Sequence, residues 1–401
     1  MRMTQLKTIA DIQTGPFGSQ LHKEDYVETG TPIVTVEHLG NRVFTEQNLP
    51  RVSDSDKARL IKYTLSTGDI VFSRVGSVDR CSYVDKSHDG WMFSGRCLRV
   101  RPTELVDSLY LYYYFCLEET KQFVRNIAVG ATMPSINTKL LGEVEIALPN
   151  LSNQQRIAAV LSSLDDKIEN NQKLNDNLEQ QLRTIFKAEF TDNPELENIT
   201  QIPLSELCHV VTKGTTPTTL GKPFVESGIN FIKAESILDD HSIDKSKFAF
   251  IDEETNALLK RSIIHAGDVV FTIAGTLGRF ALIDENVLPA NTNQAVAIIR
   301  ADVEKVLPEY IYTCFIGEWH TDYYAKRVQQ AVQANLSLTT IKSLPIPLLD
   351  EAKMSEYLSL ILPLIKAIKT NETQNEKLAT SRDILLPKLM SGEIDVSTIQ
   401  L

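Results

Sequence analysis

A helical pattern of apolar positions begins shortly after residue 152 and is the most regular feature of the chain. Side chains recur there at alternating spacings of four and three, the a/d pattern of a helical seam. The positions are Ile157, Leu161, Leu164, Ile168, Asn171, Asn175, Leu178, Leu182 and Ile185. We predict one helix of roughly 30 residues, which is about 45 Å long at 1.5 Å per residue.

The same seam returns 200 residues later and predicts a second long helix. Its positions are Leu364, Ile368, Asn371, Asn375, Leu378, Arg382 and Leu385. Pro363 stands just before them. We predict that it starts or kinks the second helix, because proline lacks the N–H donor and clashes with the preceding turn.

Each seam carries two asparagines near its middle. Antiparallel pairing of the helices about a pseudo-twofold axis would bring Asn171 to Asn375 and Asn175 to Asn371. Polar pairs of this kind penalise slipped registers, because slippage would bury an amide against leucine. Antiparallel pairing would also hold two globular domains at opposite ends of the helices. The alternative is that the asparagines lie on a solvent-exposed stretch of an ordinary helix.

Outside the seams, short β-rich runs bounded by glycine and proline predict strands. In the first half the strands cover Pro32–Glu37, Gly68–Ser73, Cys97–Arg101 and Leu141–Pro149, with a helix over Leu109–Asn126. In the second half they cover Ile229–Ala234, Gly267–Ile273, Ala295–Arg300 and Ile341–Leu349, with a helix around Pro308–Gln329. Each half is therefore predicted to contain an α+β domain with a mixed or antiparallel sheet.

The two halves are copies of one unit. Gly68–Arg80 returns as Gly267–Arg279, 199 residues further on, and the separation stays near 200 wherever the copies match. A period this long marks a duplicated domain, since solenoid repeats run roughly 20–50 residues. We predict domains over 1–150 and 191–348, and helical segments over 151–190 and 349–401. Two diverged copies of one surface indicate a protein that reads two related but different things at a fixed separation.

Composition narrows the class of protein. The apolar fraction of 42% is enough for packed cores, and no stretch approaches the ~20 apolar residues of a membrane span. The first residues lack the basic head and apolar run of a signal peptide. Five scattered cysteines without a C-x-x-C pair fit buried thiols in a reducing cytosol. We therefore expect a cytoplasmic protein without a membrane partner.

The net charge of −11 argues against an overall basic footprint for nucleic acid. Residues 1–150 carry 17 basic and 18 acidic groups, so much of the excess acid lies in the helices and the second half. The alternative of a local basic groove on the surface of the protein stays open. Phosphate contacts would then be few, or shared with a more basic partner.

A search for catalytic motifs finds none. Gly214–Lys222 resembles a P-loop, but its glycines are seven residues apart instead of five, and Pro223 replaces the Ser or Thr that would hold magnesium. Dinucleotide-binding, zinc-protease and hydrolase motifs are missing, as is the Asn-Pro-Pro-Phe/Tyr run of amino-methyltransferases. The seven histidines are isolated from one another. We expect no catalytic residue, cofactor or metal in this chain.

Three polar loops recur in both halves and are the candidate ligand contacts. Gln13–Ser19 corresponds to Thr212–Thr218, Ser73–Arg80 to Thr272–Arg279, and Phe93–Arg96 to Asn291–Gln294. Glycine lets a backbone N–H approach a phosphate, and Arg, Asn or Gln can form two hydrogen bonds with a base edge. The copies differ most at the positions that should differ between two domains with different ligands, as at Arg74 against Ile273. The alternative is that these loops are solvated turns whose glycines only satisfy turn geometry.

Further motifs complete an ordered set. Gly-Asp-Ile/Val-Val-Phe-Ser/Thr occurs in each half, Leu148–Ala158 opens the first long helix, and Leu386–Asp395 closes the second. In this order and in duplicate, the motifs resemble the specificity subunit of type I restriction-modification systems over nearly the whole chain. The resemblance implies an α+β fold: two tandem pseudo-symmetric α/β target recognition domains, separated by two long helices that form an antiparallel coiled coil. The second helix opens with Pro347–Met354 and lacks the Gln-Gln-Arg-Ile of the first, so a methyltransferase contact there would be less symmetric.

The resemblance also implies a function without catalysis. Such a subunit recognises a bipartite double-stranded DNA target with a non-specific spacer, and half-sites one helical turn apart lie about 34–36 Å from each other. Two methyltransferase subunits, which bind S-adenosylmethionine, would dock on it and methylate adenine. Motor-nuclease restriction subunits would join to cut unmethylated DNA.

Matching the loops to this family predicts individual DNA contacts. In the first domain they are Thr14, Phe17, Ser19, Ser73, Arg74, Ser77, Arg80, Ser94 and Arg96. In the second domain they are Lys213, Thr215, Thr216, Thr272, Thr276, Arg279, Asn291, Thr292, Asn293 and Gln294.

Two other functions stay open. The chain could be the specificity subunit of a two-component type II-like restriction enzyme, in which one partner both modifies and cleaves. It could instead be a duplicated adaptor that binds proteins with its two heads and uses the coiled coil as a spacer. An adaptor would show no steep salt dependence and no sequence dependence in its affinity for duplex DNA.

Overall fold

The computed structural model describes residues 2–16, 20–193, 199–321, 323–324 and 335–398. The chain divides into two compact units, one formed by Met1–Lys167 with Leu378–Leu401 and the other by Ile168–Lys377. The long helices Leu151–Phe186 and Glu351–Ser391 both contribute residues to each unit. Each unit therefore combines a globular part with segments of two helices that are distant in sequence.

Within its described residues, the first unit contains three small sheets. An antiparallel sheet has the strand order Ala10–Thr14, Cys97–Pro102, Ile70–Ser73 and Cys81–Tyr83. A mixed sheet has the order Tyr26–Val27, Arg51–Val52, Thr31–Val34 and Met92–Phe93, and its last pair is parallel. Arg2–Gln5 pairs with Glu145–Leu148 in a separate two-stranded ribbon.

The second unit repeats these sheets, except that its mixed sheet has a different edge strand. Its antiparallel sheet consists of Cys208–Lys213, Val296–Ala301, Val269–Thr272 and Phe280–Leu282. Its mixed sheet consists of Ala249–Ile251, Ile229–Ile232, Ala290–Thr292 and Ile263–Ile264. Gln201–Pro203 pairs with Pro345–Pro347. The predicted α+β class with mixed or antiparallel sheets is confirmed, and so is the duplication.

One inner strand of each antiparallel sheet, Ile70–Ser73 or Val269–Thr272, separates two apolar cores. All four side chains of Ile70–Ser73 are buried. Ile70 and Phe72 belong to one core and Val71 to the other, because successive side chains of a strand point to opposite faces. Val269 and Phe271 are separated from Val270 in the same way. Burial on both faces explains why each copy carries a continuous apolar run at this point.

The short helices also recur in order. The first unit has Asp54–Arg59, Ser108–Cys116, Glu118–Ile127 and Thr138–Gly142. The second has Glu253–Leu258, Pro308–Ile316 and Leu338–Lys342. The helix predicted over Leu109–Asn126 is thus two helices, because Leu117 has a non-helical backbone with ψ of 133°. The helix predicted around Pro308–Gln329 ends at Ile316, and its residues 322 and 325–329 lie outside the described residues.

The two long helices pair antiparallel in both units. In the second unit Asn171 Nδ2 donates to Asn375 Oδ1, and Asn371 Nδ2 donates to Asn175 Oδ1, each at 2.8 Å. In the first unit Arg382 donates to Asp165 at 2.7 Å. Residue numbers rise on one helix as they fall on the other, which defines the antiparallel direction. The predicted pairing of the asparagines is confirmed.

Pro363 does not start the second helix, which begins twelve residues earlier at Glu351 and continues through the proline. Proline inside a helix costs about 3 kcal/mol or more. The flanking Ile361 and Ile365 are buried in the core of the second unit, and this packing offsets the lost backbone bond. Among the described residues, no helix is both long and apolar enough to cross a membrane.

Candidate nucleic-acid interface

The three recurring loops meet at one edge of the antiparallel sheet in each unit. In the first unit strands Ala10–Thr14 and Ile70–Ser73 end at this edge and Cys97–Pro102 begins there, since antiparallel neighbours alternate in direction. Arg74 N donates to Arg96 O at 2.8 Å and so joins two of the loops. The second unit has the same bond from Ile273 N to Ala295 O, also at 2.8 Å.

One glycine in each unit lets the first of the three recurring loops approach the two loops that this hydrogen bond joins. Gly15 N donates to Cys97 O at 3.2 Å, and a Cβ on Gly15 would lie 2.2 Å from Ser94 O. Its counterpart Gly214 donates to Asn293 O at 3.0 Å, and a Cβ there would lie 1.8 Å from Thr292 O. A side chain at either position would overlap the neighbouring backbone. These glycines therefore assemble the loop cluster.

In the first unit four predicted residues lie on the accessible side of the cluster. Ser77 and Arg96 are exposed, whereas Thr14 and Arg74 are half-buried. Arg74 Nη1 donates to Gly95 O at 3.0 Å, which holds the guanidinium beside the third loop. Arg74 and Arg96 line a cavity of about 670 Å³, together with Ser94. The cavity therefore brings together Arg74 and Arg96, two of the residues predicted to contact DNA.

Three other predicted residues of the first unit form bonds inside the protein. The Ser73 hydroxyl donates to Val75 O at 2.8 Å and closes the turn. The Arg80 guanidinium donates to Leu39 O. Ser94 is buried, and its Oγ lies 3.6 Å from Cys97 Sγ. The Ser73 bond corrects the prediction for that residue, because its buried hydroxyl serves the turn, whereas Arg80 is exposed and stays a predicted contact. Phe17 and Ser19 lie outside the described residues.

In the second unit the structure corrects three predicted contacts. Thr272, Asn291 and Thr292 are fully buried. The Thr272 hydroxyl accepts from Arg279 N at 2.8 Å, and the Thr292 hydroxyl donates to Ile232 O at 2.7 Å. Asn291 Oδ1 accepts from Ser262 at 2.7 Å, and its Nδ2 donates to Asn256 at 2.8 Å. Arg279 is half-buried and donates to both carboxylate oxygens of Asp239, at 2.6 and 2.7 Å, and it stays a predicted contact. These side chains hold the loops in place.

The remaining predicted residues of the second unit stay accessible. They are Lys213, Thr215, Thr216, Thr276, Asn293 and Gln294, all of which are half-buried or exposed. The Thr216 hydroxyl donates to Gln294 Oε1 at 2.5 Å and links the first loop to the third. The first unit thus exposes arginines at its cluster, and the second exposes one lysine with hydroxyls and amides.

The predictions made from the sequence did not include two features beside the first loop cluster. Tyr26 lines the same cavity as Arg74, and its relative exposure is 36%. Burial, followed by the nearby Asp25 carboxylate, raises the pKa of this phenol. The match of Tyr26 with Phe224, which is 38% exposed, was a signal that could have found both aromatics.

The second missed feature is the segment 128–136. Gly76 N donates to Pro134 O and Ile136 N to Arg74 O, so the segment packs against the middle loop. Its Val129 and Met133 are exposed apolar residues. The equivalent segment of the second unit falls largely on residues 325–334, outside the described residues.

The cysteine nearest this cluster is unsuited to nucleophilic chemistry. Cys97 is buried, and burial raises the pKa of its thiol to about 12. A thiol with such a pKa stays protonated near neutral pH, whereas the thiolate is the nucleophile. Among the described residues, no group of three or more His, Cys, Asp or Glu has the arrangement of a metal site.

Comparison with known proteins identifies the family. The family model for the type I restriction modification DNA specificity domain matches residues 1–180 and 197–380. The chain belongs to this family. It is similar to the type I restriction enzyme MjaIX specificity subunit of Methanocaldococcus jannaschii, with 28% identity over 74% of this chain and 72% of that one. It is also similar to the HindI specificity subunit of Haemophilus influenzae, with 24% identity over 83% and 88% of the two chains.

A solved structure shares the fold. The specificity subunit of a type I restriction-modification system from M. genitalium has a TM-score of 0.57 and 16% identity, and the match covers 97% of this chain and 95% of that one. Two tandem domains with long helices are therefore the architecture of both proteins. As a member of the specificity-subunit family, the chain is a non-catalytic component of a restriction-modification system.

Proposed function

We propose that this specificity subunit reads a bipartite double-stranded DNA target, one half with each unit. The supporting observation is that two loop clusters have the same backbone frame but different exposed side chains. Arg74 N–Arg96 O and Ile273 N–Ala295 O are equivalent bonds, and both have a length of 2.8 Å. An unchanged frame with changed contacts is what two readers of different half-sites require.

The exposed chemistry differs in kind between the clusters. Arginine pairs with guanine through O6 and N7, whereas Asn and Gln pair with adenine through N6 and N7. The first cluster offers Arg74 and Arg96, while the second offers Asn293 and Gln294 beside Lys213 and Thr216. We expect the hydroxyls and the glycine-bearing backbone to position phosphates, and these side chains to discriminate bases.

The proposed partners follow from the same function. Two methyltransferase subunits would dock on the chain and supply adenine methylation with S-adenosylmethionine, and motor-nuclease restriction subunits would join them. The net charge of −11 supports a division of labour in which these partners provide many of the phosphate contacts. The complex would act in the cytoplasm, where its DNA target is found.

Long-read methylation mapping tests this function. A host would express the chain with its neighbouring methyltransferase, and a matched host would express the methyltransferase alone. We expect a split adenine motif only when the chain is present. If no such motif appears although the complex assembles, the proposal is wrong and a protein adaptor becomes the better interpretation. Cleavage by the methyltransferase polypeptide itself would instead identify a two-component enzyme.

A further inference from the structure

A short hairpin stands beside the first loop cluster. Val129 N donates to Ser135 O at 2.9 Å, and Ser135 N donates back to Val129 O at 2.8 Å. These two bonds close residues 129–135 into a loop, which we call the tip hairpin. The helix Glu118–Ile127 ends just before it, and the helix Thr138–Gly142 begins just after it. Elements of the first unit therefore hold the tip hairpin at both ends.

The tip hairpin is fixed to the loop that carries Arg74. Ile136 N donates to Arg74 O at 2.9 Å, and Gly76 N donates to Pro134 O at 2.8 Å. Ile136 itself is buried in the apolar core of the first unit. Backbone bonds to a loop of the cluster, together with a buried anchor, set the position of the tip hairpin relative to Arg74.

Gly130 shapes the turn of the tip hairpin. Its φ of +105° lies in a region that residues with a side chain rarely adopt. A Cβ at this position would lie 2.6 Å from Met133 O, which is closer than the two atoms can approach. Pro134 follows Met133 and restricts its own φ. The turn therefore depends on glycine, and it fixes the backbone that carries Met133.

The surface of the tip hairpin is apolar and uncharged. Met133 has a relative exposure of 63% and Val129 one of 55%. No charged residue stands between Arg125 and Lys139, although charged residues make up 23% of the chain. Apolar groups gain free energy when they are removed from water, whereas phosphates are bound by cations. The tip hairpin therefore suits an apolar group of a ligand and has no charge to offer a phosphate.

The two copies differ at the exposed methionine. Ile136 and Leu336 donate equivalent bonds of 2.9 Å to the middle loops of their own units. In the sequence aligned on these bonds, Gln333 corresponds to Met133, and Gln333 lies outside the described residues. A surface that binds two copies of one partner subunit should be alike in both units, whereas surfaces that read different half-sites should differ. The change from methionine to glutamine therefore favours a contact with DNA.

Duplex DNA offers one apolar group on the base edges of the major groove. This group is the C5-methyl of thymine, which apolar side chains contact. The arginines of the first cluster are proposed to read base edges in the same groove. Methionine is unbranched and flexible, so it can follow the shape of a methyl group. An apolar side chain beside base-reading arginines is thus placed to detect a thymine next to the bases that they contact.

We propose that Met133 contacts the C5-methyl group of a thymine in the half-site read by the first unit. This proposal rests on the proposed function, the recognition of a bipartite DNA target. Met133 then acts as a specificity-determining residue that adds a thymine preference to the contacts of Arg74 and Arg96. Gly130 and Pro134 act as positioning residues, because they fix the backbone on either side of the contact.

Replacement of thymine by deoxyuridine tests the proposal, because deoxyuridine lacks only the C5-methyl group and pairs in the same way. Methylation mapping first gives the recognised motif. Each thymine of both half-sites is then replaced singly in synthetic duplexes. Competition binding measures the affinity of the chain in complex with its methyltransferase. We expect one replacement, in one half-site, to weaken binding about three- to fivefold, the ratio expected for one buried methyl group.

Variants of the tip hairpin assign this loss to Met133. Met133→Ala should weaken binding to the unmodified duplex by a similar factor and show no further loss at that deoxyuridine. Met133→Leu should retain the loss, because leucine also offers an apolar contact. Gly130→Ala should act like Met133→Ala although it leaves the methionine in place, since it displaces the turn. Met3→Ala, at a methionine that is 52% exposed on the strand Arg2–Gln5, is the matched control and should change nothing.

The possible outcomes separate this contact from other roles of the tip hairpin. The proposal is wrong if Met133→Ala retains the deoxyuridine loss, or if no thymine depends on its methyl group. Loss of complex assembly in Met133→Ala would identify a protein-docking surface. A brighter 2-aminopurine placed within the half-site would identify a wedge between base steps. Either result overturns the proposal. Failure of the proposed function is seen earlier, because the unchanged chain would then give no split motif.

Discussion

The side-chain amide of Asn171 donates a 2.8 Å hydrogen bond to Oδ1 of Asn375, 204 residues further along the chain. The reciprocal bond from Asn371 to Asn175 has the same length. Asn171 is buried. Amides that satisfy each other in this way select one register, because any slip would leave them against apolar side chains.

We predict that the single variant Asn171→Leu loses about 1–3 kcal/mol of unfolding free energy, because the half-buried Asn375 loses the donor to its Oδ1. The double variant Asn171→Leu with Asn375→Leu should lose less than the sum of the singles, since both partners become apolar. Urea denaturation of the singles and the double measures the coupling. Asn177→Leu, at an exposed position of the same helix, is the control. Strict additivity would argue against the asparagine pair as a register device.

Arg96 is an exposed cation of the first loop cluster. Arg96→Ala should cost about 1–3 kcal/mol of discrimination at one base of one half-site and leave the other half-site unchanged. Arg74→Ala should act on the same half-site and leave assembly of the complex intact. Methylation mapping and competition binding measure both effects.

Arg80→Ala is the comparison variant, because the guanidinium of the exposed Arg80 already donates to Leu39 O. We expect it to lower Tm and to keep the recognised motif. A changed motif with Arg80→Ala, or unchanged discrimination with Arg96→Ala, would contradict the assignment of contacts in this cluster.

Asp165 joins a helix of the globular part to the two long helices within the first unit. It is buried, accepts from the Tyr113 hydroxyl at 2.6 Å and pairs with Arg382 at 2.7 Å. Asp165→Asn should cost about 2 kcal/mol, since it removes a charge-assisted bond but keeps the volume. Asp383→Asn removes an exposed carboxylate from the same arginine and should stay within about 0.5 kcal/mol. Equal losses in urea denaturation would show that burial does not matter here.

His320 makes stability depend on pH. It is buried among Phe271, Phe315 and Tyr324, and burial lowers its pKa from 6.5 to about 4. The unfolded chain therefore takes up a proton at a higher pH than the folded chain does. The stability contributed by the neutral imidazole is present above pH ~6.5 and is lost as pH falls toward ~4, on the order of 3 kcal/mol.

Replacing this histidine isolates the effect. His320→Phe should show a smaller loss of unfolding free energy between pH ~6.5 and ~4 than the unchanged chain. His241, whose pKa burial also lowers to about 4, stays in both proteins, so the loss that remains in the variant includes its contribution. Identical pH profiles would mean that His320 does not titrate in this range.

The extent of sequence-based prediction differs between the scaffold and the loops. The duplication, both long helices and the contact of Asn171 with Asn375 were predicted and are confirmed. Pro363 was predicted to start or kink the second helix, and the starting role was wrong, because apolar packing around the proline offsets a local cost. For Thr272 and Asn291, the same Ser, Thr and Asn residues that suit DNA contacts also suit internal loop bonds.

The amino-acid sequence by itself determined the repeat, the period of each helix and the register asparagines, because periodicity and spacing are properties of neighbouring positions. Only the tertiary structure decided which loop side chains face outward, since that depends on backbone groups such as Ile232 O that lie far away in sequence. It alone also brought the segment 128–136 against the loop that carries Arg74. Groups separated by many residues meet only after the chain has folded, so their proximity cannot be read from sequence spacing.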